Sequence, residues 1–134
     1  MGTGYLVDTN ILVYYFDGKL PGQAKPRVDA ILQQSFRISI VSYIEFLSWQ
    51  DFSTGKRQEA EAFLNHADLL ELNRQVAERT INLRRKKRIK LGDGIIAATA
   101  LVHDLTLVTR NTSDFAGIEG LNVLNPFQQQ NKDS

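Results

Sequence analysis

The sequence predicts a single α/β domain, a three-layer α/β/α sandwich around a mostly parallel sheet. Three observations carry that expectation. Short, nearly continuous apolar runs recur along the chain, as strands covered on both faces require. Segments with helical periodicity lie between them, and strand–helix alternation of this kind feeds a parallel sheet. Acidic residues stand at or just beyond strand ends or helix starts, and the carboxyl ends of the strands in such a sheet open onto one shared crevice.

The elements follow in order. Tyr5-Leu6-Val7 is a first strand ending at Asp8. Val28, Ile31 and Leu32 keep i, i+3, i+4 spacing, the apolar stripe of a helix. Phe36 to Val41 is a second strand, rich in β-branched residues. Ala60, Phe63, Leu64 and Ala67 mark another helix, and Leu69 to Leu72 a weaker strand. Val76, Ala77, Thr80 and Ile81 form a stripe on a helix that Asn73 can cap. Ile95 to Val102 is apolar almost all round and rich in alanine, so it reads as a helix packed tightly on the sheet. Leu105 to Thr109 and Leu121 to Leu124 are the last strands. From Gln128 onward the chain turns polar and aperiodic. The expected organisation is therefore one domain over residues 1–127 and a frayed polar tail over 128–134.

With 134 residues the chain can close a hydrophobic core without covalent staples. Its apolar and charged fractions, 43% and 23%, are those of an ordinary soluble protein. No cysteine is present, which removes disulfides, thiolate metal sites and thiol nucleophiles together, and suits the reducing cytoplasm. No segment approaches the ~20 apolar residues of a membrane span. The first residues lack the basic-then-apolar pattern of a signal peptide.

Four carboxylates, Asp8, Glu45, Asp93 and Asp114, sit at or just past strand ends or helix starts. Each has a plain structural role open to it. Asp8 can form a turn or a cap. Ser42-Tyr43-Ile44-Glu45 fits a capping box. Asp93 lies where the dipole of an apolar helix favours negative charge, and Asp114 follows Asn111 in a polar turn. Taken together they point elsewhere. A parallel sheet would send Asp8, Glu45 and Asp114 to one edge, with Asp93 joining from a helix start. Acids so crowded repel one another until some protonate or a cation arrives. Oxygen-only ligands suit Mg²⁺ or Mn²⁺. One or two such ions, ~4 Å apart when paired, activate water and steady the leaving oxygen of a phosphodiester. Thr9, Asn10, Thr109 and Asn111 offer neutral groups to orient the acids or bound water.

Net charge is only +1, so affinity for nucleic acid must come from a local patch. Six of the seven positions from Arg84 to Lys90 are basic. They are expected to continue the helix that begins near Arg74. Arg84, Arg85 and Lys87 are candidate phosphate contacts, against the reading that they complement the helix dipole. Arg110 is a further candidate, or else a structural partner of Asp114. Tyr14, Tyr15 and Phe16 can stack on bases or fill the core.

The blocks Tyr5-Leu6-Val7-Asp8-Thr9-Asn10-Ile11-Leu12, Ser42-Tyr43-Ile44-Glu45, Leu91-Gly92-Asp93-Gly94-Ile95-Ile96-Ala97-Ala98-Thr99-Ala100 and Leu107-Val108-Thr109-Arg110-Asn111-Thr112-Ser113-Asp114-Phe115 stand in this order. In that order and spacing the sequence resembles the PIN-domain ribonucleases, in particular the VapC toxins of bacterial and archaeal toxin–antitoxin pairs. One departure stands out: Gly92 and Gly94 flank Asp93 where the family more commonly has proline and alanine. The resemblance implies an Mg²⁺- or Mn²⁺-dependent endoribonuclease with Asp8, Glu45, Asp93 and Asp114 as its acidic constellation. It also implies 5′-phosphate and 3′-hydroxyl ends, structured RNA (often tRNA) as substrate, a homodimer, and a VapB-like antitoxin whose C-terminal segment occupies the groove. Two rival readings remain at this point. One is an RNA- or protein-binding module with a decayed acid site. The other is an aspartyl phosphatase built on Asp8, for which Asn10 stands where a second acid is usual.

Overall fold

A computed structural model describes residues 4–49 and 54–128. Strand β1 (Gly4–Val7) leads directly into helix α1 (Thr9–Phe16), and α2 (Ala24–Gln34) follows after a turn. Then come β2 (Arg37–Ser39), α3 (Ile40–Leu47), α4 (Thr54–Leu64) and β3 (Asp68–Leu70). The second half holds α5 (Arg74–Lys86), α6 (Leu91–Val102), β4 (Leu105–Val108), a 3-10 turn (Thr112–Phe115) and β5 (Val123–Leu124).

All the strand pairs are parallel. β4 lies between β1 and β5, and β2 pairs with β3. β1 and β2 lie side by side, linked through Ser35. Its hydroxyl accepts from the Tyr5 amide (2.9 Å) and donates to the Tyr5 carbonyl (3.3 Å).

Strand alternation sorts the core into two faces. Val7, Ile38 and Val108 join Ile11, Leu12, Val28, Ile31, Phe46 and Leu64 of α1 to α4. Leu6 and Leu107 turn the other way and meet Ile96, Ala97 and Ala100 of α6, with Phe115. α5 covers the outside of α6 through Val76, Ile95 and Ala98. The expected three layers are thus present.

α6 is buried around most of its girth because its alanines and Gly94 let neighbours come close. A methyl group at Gly94 would meet Thr80 Cγ2 at 3.3 Å and the Arg84 stem at 3.5 Å. Gly94 is therefore a packing residue between α5 and α6.

Several local expectations are corrected. The second strand stops at Ser39, because Ile40 and Val41 belong to α3. Ser39, not Ser42, is the N-cap; its side chain accepts from the Val41 amide at 3.0 Å. Ser42 is buried inside the helix, so the capping box with Glu45 does not form. β3 ends at Leu70 rather than Leu72, and β5 is reduced to two residues. The basic block continues α5 only through Arg84, Arg85 and Lys86. That helix ends at Lys86, Lys87 is extended (φ −145°), and the remaining residues cross to α6. Asp93 lies within the first turn of α6 instead of ahead of it. Within the tail, residues 129–134 lie outside the described residues.

Candidate active site

Asp8 caps α1 at the point where β1 ends. Its amide donates to Val108 O (2.9 Å), which pins it to the edge of the sheet beside β4. The residue is only 5% exposed, and both carboxylate oxygens are held. Oδ1 accepts from the Thr9 backbone amide (2.8 Å), while Oδ2 accepts from the Thr109 hydroxyl (2.8 Å) and the Asn10 side-chain Nδ2 (3.0 Å). Thr109 is itself placed by β-sheet geometry: its amide donates to Leu124 O (3.0 Å), and its hydroxyl accepts from the Asn111 amide (3.0 Å). Asn10 accepts from the Arg110 amide (3.1 Å), so the loop after β4 is tied to the start of α1.

Glu45 reaches the same place from α3. The Thr9 hydroxyl donates to Glu45 Oε1 (2.5 Å) and stands 2.9 Å from the Ser42 hydroxyl. With its single hydrogen directed at Glu45, the Thr9 hydroxyl accepts a hydrogen bond from the Ser42 hydroxyl. Glu45 thus has its partner on α1, across the junction of two helices, rather than on its own backbone. Asp93 comes from the first turn of α6. Asp8, Glu45 and Asp93 line one cleft of about 470 Å³, with Thr9, Asn10 and Asn111.

The electrostatics follow from this crowding. Burial, opposed in part by the Thr109 and Thr9 hydrogen bonds and aided by the charges of Asp93 and Glu45, pushes the Asp8 carboxyl up to about 6. Asp93 is also raised, first by burial and then by Asp114 and Glu45, with Lys90 pulling the other way. Asp114 therefore belongs to the acidic field, although it sits exposed on the 3-10 turn and outside the cleft lining. Among the described residues, no three acidic or histidine side chains stand close enough to form a ready metal cage. The acids share a cleft and repel one another without converging on a single point.

The basic candidates are placed elsewhere. Arg84, Arg85 and Lys87 line a separate groove of about 730 Å³, floored by Leu72, Ile81 and Leu91. Arg84 Nε donates to Ile89 O (3.1 Å) and so braces the turn into α6. Arg84, Arg85 and Lys86 also occupy the last turn of α5, where they complement its dipole. Lys90 is the member of the block that acts on the acid site. Arg110 makes no ion pair with Asp114 among the described residues. Its guanidinium lies 5.2 Å from the Tyr14 ring centre and 4.6 Å from that of Phe127, and Nη1 donates to the Tyr14 hydroxyl. Tyr15 and Phe16 pack into the core cluster, while Tyr14 lines the cleft. Sequence reasoning passed over Asp17, Lys19 and Trp49, which also line it. Trp49 could have been found, since it follows Glu45 by four positions.

Residues 5–121 match the PIN domain family. The chain is 30% identical over 140 residues to Ribonuclease VapC1 of Rickettsia felis, covering 90% of this chain and 95% of that protein. It is similar in structure to a toxin–antitoxin complex from Klebsiella pneumoniae, with a TM-score of 0.78 and 36% identity over 94% of this chain and all of the other. FitAcB from Neisseria gonorrhoeae gives a TM-score of 0.74 and 26% identity, covering 93% of this chain and 99% of that one. The acidic cleft at the strand ends, the order of its blocks and these likenesses agree: the chain belongs to the PIN-domain family, alongside the VapC proteins.

Proposed function

We propose that this chain is an endoribonuclease, the toxin of a toxin–antitoxin pair, that hydrolyses RNA phosphodiesters with Mg²⁺ or Mn²⁺. The observation that carries the reading is Asp8: a buried carboxylate, fixed through both oxygens, that shares its cleft with Glu45 and Asp93. A buried acid surrounded by other acids is costly unless something positive joins it.

A hard divalent cation fits the donors present. Mg²⁺ keeps several waters and needs only one or two carboxylates besides substrate oxygens, so a cleft without a closed cage is suitable. Asp8 and Asp93 would hold it, with Glu45 and Asp114 completing the shell directly or through water. When bound, the ion supplies Lewis-acid stabilisation of phosphate charge and lowers the pKa of water. The chain does the rest. Thr109 and Asn10 fix the orientation of Asp8 Oδ2, and Thr9 holds Glu45 toward the cleft. Asn111 lines the cleft and, through its amide, steadies Thr109. Arg84, Arg85 and Lys87 serve RNA more remotely, along the neighbouring groove, and Arg110 next to the cleft beside Tyr14.

The same reading extends to partners. The similarity to a toxin–antitoxin complex supports a VapB-like antitoxin. Exposed Ile44 and Leu91, on the packed helices α3 and α6, offer apolar surface for a homodimer. The working compartment is the cytoplasm, and residues 1–127 form the single catalytic domain.

Asp8→Asn tests the assignment. It should abolish cleavage of RNA while the protein still folds; full activity in a folded variant would refute the role of Asp8. The rival reading is a binding module without catalysis. Titration calorimetry with Mn²⁺ separates the two, since a nuclease should give heat and a rise in melting temperature.

A further inference from the structure

α1 and α3 each bring a polar residue to the acid cleft and an aromatic residue four positions later. On α1 these are Asn10 and Tyr14, which share one helical face because four residues are little more than a turn. α3 supplies Glu45, and Trp49 follows just past its end, where the Trp49 amide still donates to Phe46 O (3.3 Å). All four line the same cleft as Asp8 and Asp93.

The two aromatics are presented differently. Tyr14 is braced by the Arg110 guanidinium and by the edge of Phe127, whose ring centre is 5.1 Å away. Trp49 remains 45% exposed, a large π surface left in water beside a carboxylate-lined cleft. Lys19 lines the same cleft and adds a cation to it, beside the Asp17 carboxylate.

We propose that Trp49, with Tyr14 on the neighbouring helix, forms a nucleobase-stacking subsite that seats an unpaired nucleotide next to the acids. The inference rests on the nuclease reading above and adds a specificity element to it. Every base has a π face, so stacking tolerates sequence; inside a duplex both faces are already covered, so it does not tolerate pairing. A braced Tyr14 loses little freedom when a base docks, which leaves more of the stacking energy for binding. The subsite therefore selects single-stranded loops or ends over helical RNA. Cleft walls carrying four carboxylates, Asp8, Asp17, Glu45 and Asp93, are a poor seat for an acidic peptide, whereas the face of a base carries no charge for them to repel.

Trp49 is the only tryptophan in the sequence, so fluorescence excited selectively at tryptophan, beyond the absorption of the tyrosines, reports on it alone. Full-length Asp8→Asn protein, which would hold RNA uncleaved, is titrated with a short single-stranded RNA, the same strand made abasic, and the matching duplex. The expected result is saturable quenching by the single strand and little by the other two. In the otherwise unchanged protein, Trp49→Ala should raise KM for the single strand about tenfold, with kcat and melting temperature moved far less, and Trp49→Phe should restore most of the loss. An unchanged KM in folded Trp49→Ala would overturn the subsite while leaving the nuclease reading intact. So would a loss of affinity that is equal for base-bearing and abasic strands. A wild-type chain that neither binds nor cleaves RNA would overturn both.

Discussion

Asp8 carries two roles at once. It caps α1, and it is the buried member of an acid cluster. Its cost has a definite sign. The carboxyl is raised from 3.8 to about 6 in the folded chain, so between those values the native state binds more protons than the unfolded one. Stability therefore falls as pH rises through that window, and the deficit is fully present above about 6. A shift of this size corresponds to about 3 kcal/mol. Asn at position 8 keeps the bond from the Thr9 amide but puts an NH2 group where Oδ2 accepts from the Thr109 hydroxyl and the Asn10 side-chain amide, which offsets part of the gain. In the presence of a chelator, Asp8→Asn should thus be more stable than the parent by about 1–2 kcal/mol near neutral pH. Urea melts across pH should show the advantage shrinking toward about pH 4. A variant less stable than the parent near neutrality would mean that the charged form of Asp8 supports the fold.

The elements deliver the acids, and small details of their ends decide how. α3 is capped by Ser39 and begins at Ile40, so Glu45 lies in the body of the helix and turns toward Thr9 rather than back to its own amides. α6 begins at Leu91, so Asp93 sits in the first turn, flanked by two glycines with different duties. A methyl group at Gly92 meets its neighbours at 3.4 Å or more, whereas at Gly94 it meets the buried Thr80 at 3.3 Å. Gly92→Ala should then stabilise the protein by about 0.5–1 kcal/mol through helix propensity. Gly94→Ala should destabilise it by about 1 kcal/mol, because α5 and α6 must part slightly. Thermal melts of the two single variants check the pair. Equal stabilisation by both would show that the α5–α6 contact has slack. The end of α5 matters likewise, since breaking the basic block at Lys86 separates its cations into a helix terminus and a connection leading to Lys90.

At the scale of the molecule, three layers bury both faces of the sheet yet leave large apolar side chains uncovered. Ile44 and Leu91 are each 56% exposed, on two helices, α3 and α6, that pack against each other. If these side chains close a homodimer, the double variant Ile44→Lys, Leu91→Lys should halve the mass read by light scattering while the melting of the domain persists. A variant that keeps the parent's mass would place the dimer surface elsewhere.

Much of this was legible in the sequence because the signals are local. Apolar runs fixed where β1 and β4 lie, periodicity fixed α2 and α5, and Asn73 caps α5 as read, its side chain accepting from the Val76 amide at 2.9 Å. The acids and their spacing were also readable, since strand ends in a parallel sheet share an edge. What the sequence could not decide was set by contacts between distant residues. Ser39 and Ser42 are equally good caps in isolation; the strand pairing of Ser39 with Leu70 and the burial of Ser42 beneath Thr9 chose between them. Arg110 could equally have turned to Asp114; its contacts with Tyr14 and Phe127 hold its guanidinium beside the cleft instead. Sequence alone determined which side chains exist to do chemistry and roughly which elements carry them. Only the tertiary structure decided their partners and their charge, because desolvation and hydrogen bonding depend on neighbours as many as 101 positions away, as between Asp8 and Thr109.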